Sequence, residues 1–75
     1  MNKTNEKATY TESGWQAEVE ILEDNSDSTK HSYTLKVIKT YMDGRYGRLP
    51  DGHVFTVFAD KRHMAYCDWR LSKAD

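Results

Sequence analysis

Residues 14–22 read GWQAEVEIL, and the period of this stretch decides the fold. Trp15, Ala17, Val19 and Ile21 alternate with Gln16, Glu18 and Glu20. That is the two-residue period of a strand with one face in a core. A helix competes for the same residues. Ser13 and Gln16 have the spacing of a capping box, and Trp15, Val19 and Leu22 share a helical face. Four alternating apolar positions outnumber three helical ones, so a strand is the expectation.

Downstream, EDNSDSTK (23–30) is turn-forming in composition. HSYTLKVIKTY (31–41) reads as a second strand, with Tyr33, Leu35 and Val37 on one face and Thr34, Lys36 and Thr40 on the other. HVFTVFA (53–59) is a third strand, apolar on both faces and therefore central or doubly covered. DKRH (60–63) suits a tight hairpin turn into a fourth strand, MAYCDWRL (64–71). An odd-length turn there puts Phe55 and Val57 on one face with Cys67 and Trp69, and an even-length turn pairs them with Tyr66. Either way, some of Val54, Phe58, Met64 and Tyr66, with Ile38, fall outside the main core. They form a second small core under the N-terminal segment, or an exposed patch open to a partner or a homodimer.

Residues 1–12 are polar and unpatterned, and read as a flexible arm preceding a single small β domain at 13–75. Four or five short antiparallel strands without a covering helix must curl onto themselves. The expectation is an all-β, strongly twisted antiparallel sheet in an SH3-like half-open barrel. The alternative is α+β, with a helix at about 13–24 packed on a three-stranded sheet.

The chain has 75 residues, 31% charged and 37% apolar, and its nine aromatics oppose disorder. A lone Cys67 excludes a disulfide scaffold and suits a reducing compartment. The N-terminus lacks an apolar leader core, and no apolar run reaches membrane length. A cytoplasmic protein is expected. Net charge is −1, unevenly spread. Residues 12–27 carry six acids and no base, while residues 30–48 carry five bases against Asp43. Such blocks stabilise each other across strands or form a dipolar surface that steers a partner.

His63 and Cys67 lie four apart, about 13 Å along a strand, too far for a nucleophilic dyad. His31, His53, His63 and Cys67 lack the close pairs that nucleate a zinc site. The carboxylates fall in a turn and on a solvated face, not in a concave site. DGRYGR (43–48) lacks the Lys-Ser/Thr of a phosphate-binding loop. The expectation is a non-enzymatic chain without metal or cofactor.

YMDGRYGRLPDGHVF (41–55) carries the functional signal. LPDG is a turn with Pro50 at its second position. DGRYGR is longer than its Asp-Gly turn chemistry requires, which suggests a binding loop. Tyr41, Arg45, Tyr46 and Arg48, joined by Lys61, Arg62 and Tyr66, are the candidate partner-binding residues. Arginine and tyrosine favour a protein partner, as in an inhibitor or accessory subunit. The same residues beside a small barrel would suit single-stranded nucleic acid. A sequence pI of about 6.3 weighs against the nucleic-acid reading.

Overall fold

The computed structural model describes residues 2–62 and 68–73, with backbone alone over residues 2–5. It is all-β, with five strands: β1 (Asn2–Glu12), β2 (Trp15–Asp24), β3 (Lys30–Met42), β4 (Val54–Asp60) and β5 (Trp69–Lys73). All pairings are antiparallel, in the order β4-β3-β2-β1-β5. The first four strands form a meander, and the last returns to pair with the first. The sheet curls strongly into an SH3-like half-barrel. Register shifts recur along β2–β3, and such bulges bend and twist a strand.

The strand reading of GWQAEVEIL holds. Trp15, Ala17, Val19 and Ile21 are all buried, while the residues between them are exposed or half-buried. On β3, Leu35 and Val37 face the same interior. The outer face carries the charges. Lys7 lies opposite Glu20, which lies opposite Lys36, and Glu18 lies opposite Lys39. The acidic and basic blocks are thus adjacent strands with opposite signs in register, the arrangement that favours pairing.

Three expectations are corrected. Residues 2–12 are not an arm but β1, paired with β2 on one side and β5 on the other. Among its described side chains, Ala8 and Tyr10 are the buried ones, a thin signal. Yet Tyr10 is fully buried and central to the core. Its ring meets Trp15 and Phe55 edge-on at 5.4 and 5.3 Å and stacks on Trp69 at 6.1 Å. Such ring pairs contribute beyond the area they bury. The link to β2 is the two-residue turn Ser13–Gly14, with φ of 51° and 88°. Positive φ at both positions marks the turn whose twist matches a hairpin.

The last strand is not the hairpin partner of β4. β5 pairs with β1, with Trp69 opposite Glu12 and Leu71 opposite Tyr10. Phe55 and Val57 pack against the buried cluster that contains Trp69, rather than facing it along a ladder. Residues 63–67, with His63, Met64, Tyr66 and Cys67, lie outside the described residues.

Nor is β4 central. Among the described strands it stands at an edge, with Phe55, Val57 and Ala59 turned inward and Val54 (49% exposed) and Phe58 (72% exposed) turned outward. With the N-terminal segment built into the barrel, no arm remains to cover them. An apolar residue on both faces of a strand signals burial only when both faces are covered.

Candidate functional site

β3 runs past the end of β4. Their pairing stops at Lys36–Val54, while β3 continues along β2 to Met42. Residues 43–53 must therefore cross the end of the barrel. They do so in two units.

The first is a tight hairpin. Gly44 and Gly47 exchange two backbone hydrogen bonds of 2.9 and 3.0 Å around Arg45–Tyr46. The Arg45 N–H donates to the Ser13 carbonyl at 2.8 Å, fastening this hairpin to the β1–β2 turn. Gly44 is required by the close approach. A Cβ there would lie 2.5 Å from the Trp15 nitrogen, 2.7 Å from the Trp15 Cβ and 2.9 Å from the Ser13 oxygen.

The second unit is a turn closed by the His53 N–H on the Pro50 carbonyl at 3.1 Å. This corrects the expected placement by one residue. Pro50 opens the turn, and Gly52, with φ of 86°, takes the third position that demands it. The Gly52 N–H then reaches the Val37 carbonyl at 2.7 Å, returning the chain to β3.

Between these units, Leu49 packs against the core. A cleft of about 180 Å³ opens between the hairpin and the β1–β2 turn. Trp15, Tyr46 and Leu49 supply its apolar surface, and Glu12 and Arg48 its charges. Tyr46 stands at the hairpin apex, 83% exposed. The Arg48 Nε lies 3.6 Å from Asp43, both side chains largely in solvent. The Glu12 carboxylate accepts the Tyr10 hydroxyl.

The six candidate residues that the structure describes do not form one site. Arg45, Tyr46 and Arg48 share the hairpin, and Tyr41 is exposed on the end of β3 leading into it. Lys61 and Arg62 lie at the opposite end of the barrel, where the Lys61 N–H bonds the Thr29 carbonyl. Arg62 forks onto Asp60 at 3.3 and 3.1 Å, which raises the pKa of its guanidinium. Tyr66 lies outside the described residues. What the sequence missed is the cleft wall, Glu12, Trp15 and Leu49. The Ser13–Gly14 dipeptide was its available signal, because a two-residue turn there puts Glu12 and Trp15 opposite each other.

His31 and His53 stand near opposite ends of the β3–β4 pair, each beside an aromatic ring, Tyr33 and Phe55 respectively. A smaller cleft of about 130 Å³ lies at the barrel seam between Tyr33 and Trp69. Among the described residues, no helix is long and apolar enough to cross a membrane. In comparisons with protein-family models, curated proteins and solved structures, nothing matches this chain.

Proposed function

We propose that the protein is a small non-enzymatic docking module that binds another protein through the Arg45–Arg48 hairpin and the adjoining cleft. It would act as a regulatory or accessory subunit in the cytoplasm, which the lone Cys67 suits. The observation that carries this reading is Tyr46, 83% exposed at the apex of a hairpin closed by backbone hydrogen bonds. Tyrosine and arginine are enriched among residues that dominate binding energy. A backbone already fixed in its bound shape loses less entropy on association.

Charge placement favours protein over nucleic acid. A single strand wants a continuous basic track with stacking rings. Here Arg45 and Arg48 are separated by the barrel from Lys61 and Arg62, and carboxylates accompany both groups: Asp43 beside Arg48, and Asp60 beneath Arg62. Glu12 adds negative charge to the cleft itself.

The test is site-specific photo-crosslinking in cells, with benzoylphenylalanine at position 46 and, as a control, at the exposed turn residue Ser28. A discrete protein adduct is expected from position 46 alone, lost when Arg45→Glu and Arg48→Glu are added. Equal adducts from both positions, or an adduct indifferent to the arginines, overturns the assignment. Oligonucleotide binding by the purified protein that weakens steeply with salt would transfer the hairpin to nucleic acid.

A further inference from the structure

β4 is an edge whose outward backbone can be assigned. The Val37 N–H donates to the His53 carbonyl and the Lys61 N–H to the Thr29 carbonyl, framing the β3–β4 ladder at both ends. Hydrogen-bonding pairs alternate along an antiparallel ladder. Phe55, Val57 and Ala59 therefore bond toward β3. The N–H and C=O groups of Val54, Thr56 and Phe58 point away from β3, to an edge that no described strand pairs. Consistent with this, the one contact from the described residues to these groups is the Trp69 indole N–H on the Phe58 carbonyl, at a long 3.4 Å. A carbonyl has capacity for a second donor.

Proteins ordinarily protect such an edge with lysine, proline, an inward charge or a bulge. Among the described residues, β4 has none of these. Val54–Ala59 contains no charge and no proline, and its pairing with β3 runs without a register shift. Its outward side chains, Val54, Thr56 and Phe58, include two of the exposed large apolar residues.

The edge is also complementary to itself. A two-fold axis at Thr56 sets Val54 opposite the partner's Phe58, and Thr56 opposite its own copy. The flanks agree in charge. Asp51 precedes the strand, and Lys61 and Arg62 follow it, with Asp60 held by Arg62. Antiparallel pairing brings the basic end of one edge to the acidic end of the other, whereas parallel pairing would align like charges. Two-fold interfaces of this kind use one patch twice.

We infer that β4 is the interface of a homodimer, in which the edges of two copies pair antiparallel around Thr56 and join two sheets into one. This surface is separate from the Tyr46 hairpin and does not depend on its partner.

Sedimentation equilibrium of the full chain over micromolar to millimolar concentrations tests this. The expected species has twice the 8.8 kDa chain mass. Thr56→Pro removes an edge N–H but no bond to β3. Phe58→Lys restores a typical edge guard at an exposed position. Each should weaken association by about tenfold or more, with unchanged circular dichroism. Should the proline variant unfold, Phe58→Lys decides. Lys61→Glu should weaken the dimer by roughly two- to tenfold at low salt, and Asp51→Lys added to it should restore it. A single-chain mass at every concentration overturns the inference. So does a dimer unaffected by Phe58→Lys, which would place the contact elsewhere, or one indifferent to Lys61→Glu, which would remove the antiparallel register.

Discussion

The β2–β3 turn and the 43–49 hairpin lie at opposite ends of the barrel and are similarly polar, but side-chain hydrogen bonds help to hold the first and not the second. In the first, side chains reinforce two backbone bonds, from the Asn25 N–H to the Ser32 carbonyl and from the Asp27 N–H to the Lys30 carbonyl. Asp27 Oδ1 accepts the Thr29 N–H, the Thr29 hydroxyl and the Lys30 N–H at 2.8, 2.7 and 3.0 Å. Asp24 accepts the Ser26 N–H, and the Ser26 hydroxyl receives the Ser32 N–H. In the second, the backbone holds itself through Gly44, Gly47 and the Ser13 carbonyl. The difference teaches which polar residues are available. Asp24, Ser26, Asp27 and Thr29 are structural although they look like a solvated loop. The Arg45 and Tyr46 side chains take no part in the bonds that close their turn, and Arg48 makes only an exposed ion pair with Asp43 across its base.

The largest effect should come from breaking the glycine anchor. Gly44→Ala drives a methyl into the Trp15 backbone, which cannot yield as a flexible side chain would. A loss of about 2–3 kcal/mol is expected. For a domain of this size that lowers Tm by roughly 10 °C or more. Gly47→Ala sharpens the comparison, since its Cβ meets nothing within 4 Å and only its φ of 93° is costly. That cost is about 1 kcal/mol. Equal melting temperatures for the two variants would show that backbone conformation, not close approach, fixes the hairpin.

Acid should separate the two ends next. The Thr29 hydroxyl, then the Thr29 and Lys30 amides, hold the Asp27 carboxyl below the ordinary aspartate value. For Asp24, burial alone would raise the pKa, but the bonds from Ser26, with Lys73 and His31 nearby, outweigh it and leave it lowered. A carboxyl depressed in the folded state stabilises above its unfolded pKa, about 4, and that contribution is lost as pH falls through the folded value. Amide protection at Thr29 and Lys30 should therefore decline below about pH 4, ahead of that at Gly44, Arg45 and Gly47. Asp27→Ala should lower Tm at neutral pH, by less than Gly44→Ala, and flatten this acid dependence. Equal loss of protection at both ends would mean global unfolding and erase the contrast.

The fold was legible where apolar residues alternate densely, as at Trp15–Ile21 and Tyr33–Val37. It was hidden where one aromatic does the work of several. Among the described side chains, β1 buries Ala8 and Tyr10, yet the Tyr10 ring touches three others across the barrel. β4 misled in the opposite sense, because Val54 and Phe58 look like core but stand on an edge. The partner of the last strand is a long-range choice that local pattern does not encode. At the candidate site, the hairpin residues were legible from their excess over turn chemistry. The cleft wall was not, because it depends on a contact between Gly44 and Trp15, which sequence places 29 positions apart.

The smallest stability effect is also the most discriminating. Every hydrogen bond identified in closing the hairpin is backbone to backbone, so Tyr46→Ala should leave the turn intact. Substitutions at exposed positions of this kind stay within about 0.5 kcal/mol, a Tm change of at most about 4 °C for a domain of this size. The same variant should abolish co-purification of the partner, because a central aromatic in a docking patch is worth roughly 2 kcal/mol or more. Binding and stability are then separated at one residue. The opposite result has a definite structural meaning. Tyr46 lines the cleft with Trp15 and Leu49. A fall in Tm comparable to that of Gly47→Ala would mean that the ring closes over these two as part of the core, and that the hairpin, like the Asp27 turn, uses its side chain to hold the fold.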